Sequence, residues 1–417
     1  MPTIAIDGAS HRFRLVLVLG LLTALGPLTI DMYLPSLPKI TTDLRTTSAA
    51  VQLTLTGTLA GLALGQLLAG PISDALGRRV PLLAGVGVHV LASALCVAAP
   101  NVAVLGGLRV LQGLGAAAAA VVAMAIVRDL FSGPDAAKLY SRLMLVLGVA
   151  PILAPALGGL VLRWTQWRGI FVVLAVIGVA IVAATALILP ETLPVQWRRS
   201  DGLLGTVRDY GRLFTDRIYV GLVLVTGLAM AALLAYVSGS SFIFQDEYGM
   251  SEQQFALVFA GGAVGLIGAT QINVRLLRRW SPQQILVGSL LGGLVAGSVL
   301  LVSAQTGFGG LAGVLVPLWI VLAMVGLSLP NVPALALSRH GDVAGTAAAL
   351  LGAVQSGVGA LAASLVGVLG VGSMATAVAI VVAGSMLAAN VVLWLVVQPR
   401  RLPTDEEALE PSIAVAR

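Results

Sequence analysis

Twelve long apolar segments dominate this sequence, and short stretches rich in charged residues, proline and glycine separate them. The segments cover about residues 14–36, 50–71, 80–99, 102–126, 139–162, 168–189, 218–241, 254–274, 283–303, 309–330, 342–368 and 372–397. About 20 apolar residues are enough for a helix to cross a bilayer. Only 10% of the 417 residues are charged, whereas a soluble globular chain has about 25%. The pattern excludes an ordinary water-soluble enzyme and predicts an all-α integral membrane protein with twelve transmembrane helices.

The basic residues predict which ends of the segments face the cytoplasm. An even number of spans places both termini on one side of the membrane. If that side is the cytoplasm, nineteen of the 24 Lys and Arg residues lie in cytoplasmic segments and only four on the opposite side, as the positive-inside rule requires. The net charge of +6 is therefore explained by orientation, and we expect no nucleic-acid partner. The LPETL segment after the sixth span suits a bacterial inner membrane, and we expect both termini to be cytoplasmic.

The longest polar interruption lies between the sixth and seventh segments and divides the chain into two halves. We expect a cytoplasmic tail, a first six-helix bundle, a cytoplasmic linker, a second six-helix bundle and a second cytoplasmic tail, over residues 1–13, 14–190, 191–217, 218–398 and 399–417. Transporters built from repeated bundles bind substrate at the interface of the repeats. The first apolar run has no A-x-A cleavage pattern, so we expect a retained span and not a signal peptide.

Two charged residues, Asp31 and Arg109, lie well inside predicted spans. A charge at the centre of a membrane helix costs at least about 2.5–3.5 kcal/mol and usually marks a functional site. With a rise of 1.5 Å per residue, the two side chains lie at overlapping depths in the outer half of the membrane. We expect Asp31 to carry a proton whose affinity depends on the distance to Arg109. A fixed ion pair that only joins the two spans stays open, and His89 is expected to be a packing residue.

The fifth segment contains two prolines and three glycines, Gly148, Pro151, Pro155, Gly158 and Gly159. Each proline removes a backbone hydrogen bond, which membrane helices tolerate where a neighbour or a cavity compensates the freed carbonyl. The composition predicts either a hinge or a static bend used for packing.

Aromatic and hydroxyl side chains follow one another near the end of the seventh segment. The group consists of Tyr236, Ser238, Ser240, Ser241, Phe242, Phe244, Gln245 and Tyr248. These residues would either form an interfacial aromatic belt or line a cavity for an apolar ligand, and both interpretations stay open.

Four motifs resemble those of the major facilitator superfamily. Residues 70–79, GPISDALGRR, resemble its G-x-x-x-D-x-x-G-R-R/K loop signature, and residues 109–115, RVLQGLG, resemble its R-x-x-Q-G-x-G motif. Residues 28–35 and 150–159 are similar to the first-span and fifth-span motifs of its twelve-span drug:proton antiporters, although Ala154 stands where many members have glycine. Five further segments narrow the resemblance to the bicyclomycin/chloramphenicol-resistance exporters. They are residues 164–171, 189–193, 236–242, 271–277 and 344–352.

The resemblance implies two pseudo-symmetric six-helix bundles that alternate access to a central cavity. It also implies roles for particular residues. Asp31 and Arg109 would couple protons to transport, Gly148, Pro151, Pro155, Gly158 and Gly159 would form the antiporter helix, and Gly70, Asp74, Gly77, Arg78 and Arg79 would form a cytoplasmic gate. The expected substrate cavity includes Tyr33, Gln112, Tyr236, Phe242 and Phe244. Asp74 would act as a latch near the helix start at Gly341 and Asp342.

The predicted function is proton-coupled efflux of small hydrophobic drugs or antibiotics, with an uptake carrier for a small metabolite as the alternative. The expected partners are a drug-like small molecule, protons and membrane lipid, and the chain is expected to be monomeric. We expect no cofactor and no metal, since Cys96 is the single cysteine. We also expect no catalytic residues, because a Ser–His dyad inside the membrane would have to use His89, which no nucleophile motif flanks.

Overall fold

The computed structural model describes residues 9–131, 133–198, 202–337, 340 and 343–399. Within these ranges twelve helices are long and apolar enough to cross a membrane, which confirms the predicted number of spans. Spans 1 to 12 consist of the helices Ala9–Asp31, Ser48–Leu76, Arg79–Val97, Val102–Leu130, Gly133–Val161, Arg168–Ile188, Arg217–Ser241, Glu252–Leu276, Pro282–Thr306, Gly310–Leu337, Ala344–Leu369 and Met374–Val392. Residues 1–8 and 400–417 of the predicted tails lie outside the described residues.

The α-helix of span 1 is interrupted after Asp31, where two prolines follow. The helix ends at Asp31, and the chain continues as a short 3-10 turn, Leu34–Ser36, and a seven-residue helix, Leu37–Asp43. Pro35 and Pro38 lack the backbone N–H that a continuing helix needs, so each lies near the start of a new turn. Asp31 therefore lies at the end of a long membrane helix.

The spans pack mainly within their own half of the chain. In the first half, span 4 contacts spans 1, 2 and 3, span 1 packs on span 5, and span 3 packs on span 6. In the second half, span 7 contacts spans 10, 11 and 12, and span 9 packs on spans 10 and 12. The extensive contacts between the halves join span 2 to span 11 and span 5 to span 8.

Small residues allow the closest of these contacts, between spans 2 and 4. A Cβ atom added at Gly61 would lie 2.0 Å from the carbonyl oxygen of Val110, and one added at Gly113 would lie 2.0 Å from that of Thr58. Neither position can accept a side chain unless the helices separate. Close backbone approach provides the dispersion energy that holds helices together in lipid, where apolar burial alone does not.

An amphipathic helix, Gly202–Thr215, lies in the segment between spans 6 and 7. Leu213 is buried among residues of the second half, while Arg208 and Arg212 are exposed. The helix contacts spans 2, 7 and 11, and the Tyr210 hydroxyl donates to the Leu67 carbonyl oxygen at 3.5 Å. Long apolar runs in the sequence do not predict this helix, because a helix with one apolar face contains no such run.

The packing of spans 2 and 4 predicts a large difference between two glycine substitutions. We expect Gly61→Ala to destabilise the protein by about 1–3 kcal/mol or more, because its Cβ would overlap Val110. Gly107→Ala is the matched control on span 4, where no atom lies within 4 Å of the added Cβ. It should leave the stability unchanged or raise it by up to about 1 kcal/mol. Thermal unfolding in detergent measures both, and equal midpoints would contradict this account of the contact.

Candidate functional site

A cavity of about 340 Å³ lies between the two halves and is lined by spans 1, 2, 4, 5, 7, 8 and 10. Most of its walls are apolar. The polar side chains in its lining are those of Thr23, Asp31, Gln66 and Tyr236. The Thr23 hydroxyl donates to the Leu19 carbonyl oxygen at 2.8 Å, so its donor is already used. A largely apolar chamber with few polar groups suits an apolar ligand.

Asp31 supplies the only carboxyl group among the described residues that line this cavity. Its side chain is almost fully buried, with 6% exposed. Among the described residues, no basic side chain forms an ion pair with it. Water stabilises a carboxylate far better than an apolar wall does, so the charge on Asp31 depends on whether the cavity is open to water.

Arg109 is fully buried beside the cavity and does not line it. Its Nη1 donates to the Thr29 carbonyl oxygen at 3.0 Å and to the Gln112 Oε1 at 2.9 Å. Its guanidinium carbon lies 4.4 Å from the centroid of the Tyr33 ring, within range of a cation–π interaction. The predicted ion pair with Asp31 is therefore not formed in this structure. Arg109 instead contacts the backbone of span 1 two residues before Asp31.

Tyr33 and Gln112 belong to the polar cluster around Arg109 and do not line the cavity. The Tyr33 hydroxyl and the Thr54 Oγ1 are 2.8 Å apart, and the Gln112 Nε2 donates to the Ser93 Oγ at 2.7 Å. These hydrogen bonds occupy the polar groups of Tyr33 and Gln112, so these groups are not available to bind a ligand in this structure. His89 lies in the same cluster, with its Nε2 2.8 Å from the hydroxyl of Thr29.

Of the five predicted cavity residues, only Tyr236 lines this cavity. Phe242 and Phe244 are buried in the apolar core beyond the end of span 7, in a π-helical turn, Phe242–Glu247. The wider turn continues span 7 toward the loop between spans 1 and 2, away from the chamber. In this structure Phe242 and Phe244 therefore lie at the packed end of the bundle and do not line this cavity.

Direct bonds join the two halves at the end of the molecule that carries the loop between spans 1 and 2, here called the first-loop end. The Ser241 hydroxyl donates to the Leu34 carbonyl oxygen at 2.7 Å, and the Gln245 Nε2 donates to the Pro35 carbonyl oxygen at 3.2 Å. Nearby, the Lys39 Nζ lies 2.7 Å from the Glu252 Oε1. These contacts close the cavity at the first-loop end.

Span 5 packs against both halves. A Cβ at Gly158 would lie 2.2 Å from the carbonyl oxygen of Met32 in span 1, while one at Gly148 would lie 3.7 Å from Ile267 in span 8. Gly148 and Pro151 also line the cavity. The helix continues through Pro151 and Pro155 as a single element. Gly159 lies near Glu252 of span 8.

The loop between spans 2 and 3 holds a charge network at the opposite end, here called the linker end. Gly77 has a φ of +94°, a conformation that favours glycine, and it allows the chain to leave span 2 at a sharp angle. Arg78 forms ion pairs with Asp74 and, at 2.8 Å, with Asp129 of span 4. Burial acts to lower the pKa of Arg78, but the hydrogen bonds and charges of Asp129 and Asp74 together outweigh it and raise that pKa above its ordinary value. Gly70 begins the motif on span 2, and Arg79 donates to the Ala186 carbonyl oxygen.

Glu191, which the sequence analysis did not assign to this site, completes the network. Its two carboxylate oxygens accept the backbone N–H groups of Arg78 and Arg79 at 2.8 and 3.2 Å, at the start of span 3. Burial acts to raise the pKa of Glu191, but the backbone N–H donors outweigh it and lower the pKa below its ordinary value of 4.5. The sequence signal was the segment 189–193, LPETL, which carries this acid just after span 6.

A second cavity, of about 320 Å³, separates this network from the start of span 11. Asp74, Arg78 and Arg128 line one wall, and Val343 and Thr346 line the other. The helix start at Gly341 and Asp342, which the predicted latch involves, lies outside the described residues. The latch therefore stays a prediction.

A family model described as the Major Facilitator Superfamily matches residues 19–364, most of the chain. This chain belongs to the major facilitator superfamily. It is 39% identical to the MFS-type transporter YdgK of Bacillus subtilis, covering 86% of this chain and 89% of that protein. It is 32% identical to the bicyclomycin resistance protein homolog of Haemophilus influenzae, over 85% and 89% of the two chains. It is 34% identical to a chloramphenicol resistance protein of Pseudomonas aeruginosa, over 85% and 86%.

The fold agrees with this assignment. A solved structure of a D-xylose–proton symporter superposes with a TM-score of 0.76 at 16% identity, covering 94% of this chain and 100% of the other. The predicted family and two-bundle fold are thus confirmed, and the chain is a multi-pass membrane transporter and not an enzyme.

The Glu191 contacts predict a pH-dependent contribution to stability. Because the pKa of Glu191 is lower in the folded state, its contribution is complete above its ordinary pKa of 4.5 and is lost as the pH falls through the folded-state value. We expect Glu191→Gln to lower the thermal unfolding midpoint in detergent at about pH 7 and to match the wild type at about pH 3. The exposed Asp135→Asn is the control and should have little effect at either pH. A midpoint difference that persists at low pH would contradict the ionic role.

Proposed function

We propose that this transporter exports small, mainly hydrophobic compounds, antibiotics among them, in exchange for protons. The observation that carries the proposal is the position of Asp31 in the wall of an apolar cavity between the halves. Asp31 is buried, and among the described residues it is the only carboxyl group in the lining and forms no ion pair. The names of two relatives, which refer to bicyclomycin and chloramphenicol resistance, support a drug-like substrate.

The position of Asp31 supports a competition between proton and substrate. While the cavity is closed, its apolar walls favour the protonated, uncharged carboxyl. When the cavity opens to a water-filled path, the carboxylate becomes favourable and the proton can leave. A substrate that enters the cavity and donates a hydrogen bond to the carboxyl group would stabilise the carboxylate and so displace the proton. One elementary charge that crosses about 100 mV supplies about 2.3 kcal/mol, enough for roughly a fiftyfold gradient of substrate.

Arg109 is proposed to act on coupling through the backbone of span 1. Its bond to the Thr29 carbonyl oxygen and its contact with the Tyr33 ring hold the helix on both sides of Asp31. A permanent cation at this place also disfavours a second positive charge nearby. In this account Arg109 is a positioning residue, and Asp31 is the group that exchanges the proton.

The two halves, 14–190 and 218–398, are proposed to move as bundles that expose the cavity alternately. The bonds of Ser241, Gln245 and Lys39 at the first-loop end would have to break for opening on that side. Opening at the linker end would separate span 2 from span 11. An uptake carrier for a sugar or amino acid is the alternative on the same fold, but the cavity offers few polar groups for such a substrate.

The exchange of protons for substrate can be tested in proteoliposomes. Vesicles that contain the wild-type protein and have an acidic interior should lose their imposed pH gradient faster when chloramphenicol is added. We expect Asp31→Asn to reduce this effect at least about tenfold, because an amide cannot carry the proton. Asp135→Asn, which changes an exposed acid near the start of span 5, is the matched control and should behave as the wild type. Full proton exchange by Asp31→Asn would refute the proposed role of Asp31.

We also propose a bacterial inner membrane, with both termini and the linker end in the cytoplasm, because most basic residues lie at that end. Cys96 is fully buried, so the native chain offers no exposed thiol as background. In intact cells, a membrane-impermeant maleimide should label Lys39→Cys at the first-loop end and leave Ser281→Cys, between spans 8 and 9, unlabelled until the cells are broken. The reverse pattern would invert the proposed orientation.

A further inference from the structure

Two buried hydrogen-bond donors near the cavity have no partner among the described residues. They are the hydroxyl of Tyr236 and the indole Nε1 of Trp319. Most buried polar groups in folded proteins are hydrogen-bonded, and an unpaired one costs about 1–3 kcal/mol. The Tyr236 residue is only 2% exposed, and it lines the chamber. Tyr236 therefore presents an unused donor in the chamber wall, and Trp319, which is not part of the lining, provides a second one close behind it. Two such donors point to a ligand.

The two donors converge on Gly262 of span 8. A Cβ atom at Gly262 would lie 3.2 Å from the Tyr236 hydroxyl oxygen and 3.3 Å from the Trp319 Nε1. Gly262 lines the cavity, and the indole ring of Trp319 lies across the neighbouring Gly261. Because glycine has no side chain, both donors remain close enough for one acceptor group to reach them. Three different spans, 7, 8 and 10, supply this arrangement.

An aromatic surface lies beside the donors. The rings of Tyr236 and Phe259 are stacked, with centroids 5.3 Å apart and an interplanar angle of 14°. Phe259 lines the cavity as well. A volume of about 340 Å³ is near the lower limit of about 300 Å³ for ligand pockets, which favours a molecule of one or two fused rings.

We propose that Tyr236 and Trp319 form a donor subsite that selects, among small aromatic substrates, those that carry a carbonyl or a comparable hydrogen-bond acceptor. The acceptor binds the Tyr236 hydroxyl and the Trp319 indole N–H at Gly262, and the ring packs beside Phe259. The inference rests on the proposed function, which makes this cavity the substrate site, and it names the chemical class of the substrate. The donor subsite is separate from Asp31, which exchanges the proton.

Two fluorescent probes of the same size test the subsite on the full-length protein in nanodiscs. Acetyl(dimethylamino)naphthalene carries a carbonyl acceptor, and ethyl(dimethylamino)naphthalene does not. The wild type should bind the acetyl probe more tightly. Tyr236→Phe and Trp319→Phe should each weaken binding of the acetyl probe about three- to tenfold, the range of one neutral hydrogen bond. Binding of the ethyl probe should change less than about twofold, which also shows that the variants are folded.

The emission of the bound acetyl probe gives an independent readout. Its emission moves to longer wavelength when the carbonyl accepts a hydrogen bond, so each donor variant should shift it to shorter wavelength. Tyr248→Phe and Trp394→Phe are the matched controls, since Tyr248 donates to the Gly310 carbonyl oxygen at the start of span 10 and Trp394 is exposed just after span 12. Both should behave as the wild type.

The proposal is overturned if the wild type binds the two probes equally or binds neither. Unchanged acetyl binding in both donor variants would overturn it as well. The Asp31→Asn variant distinguishes a failure of the donor subsite from a failure of the proposed function. That variant should lose proton exchange and keep its preference for the acetyl probe. Loss of the preference in Asp31→Asn would show that selectivity depends on the acid and would contradict a separate donor subsite.

Discussion

The burial of one carboxyl group in an apolar wall is the constraint on which the rest of this structure depends. An isolated carboxylate is strongly destabilised away from water, so Asp31 can remain in span 1 only if it is uncharged or if water reaches it. In the proposed transport cycle, the cavity between the halves would satisfy one condition when it is closed and the other when it is open to water. The buried cation of span 4, Arg109, is held by the Thr29 carbonyl, the Gln112 side chain and the Tyr33 ring, and it forms no ion pair with the Asp31 carboxyl in this structure.

The packing around Asp31 explains how a membrane protein can hold such a site and still move. Spans 2 and 4 meet through glycines that admit no side chain, so the first half is rigid where it supports Asp31 and Arg109. The contacts between the halves are of another kind. At the first-loop end the polar contacts of Leu34, Pro35 and Lys39 with the second half are hydrogen bonds and a partly exposed ion pair, Lys39–Glu252, which contribute little individually. The proposed alternating access would require such bonds to break, while the more extensive packing of span 2 on span 11 would have to change at the linker end.

Much of the fold could be predicted from the sequence, because the spacing of apolar segments determines the number of spans and the glycines indicate close helix contacts. The loop motif likewise located the network of Asp74 and Arg78. The cavity was harder to predict, since its lining depends on the rotation of each helix and not on its composition. Tyr33 and Gln112 turn toward Arg109, and Phe242 and Phe244 lie beyond the chamber in a π-helical turn. The role of Glu191 could not be predicted, because its closest partners are the backbone N–H groups of Arg78 and Arg79. Contacts to the backbone leave no recognisable pattern of side chains in the sequence.

Proton release on ligand binding tests the central claim most directly. Chloramphenicol can be added to the solubilised protein in weakly buffered solution while a pH indicator records the protons that appear. The account predicts that the wild type releases up to about one proton per ligand bound, and that Asp31→Asn binds the ligand and releases none. Equal release from both proteins, or binding by the wild type without release across the range from about pH 6 to pH 9, would contradict it.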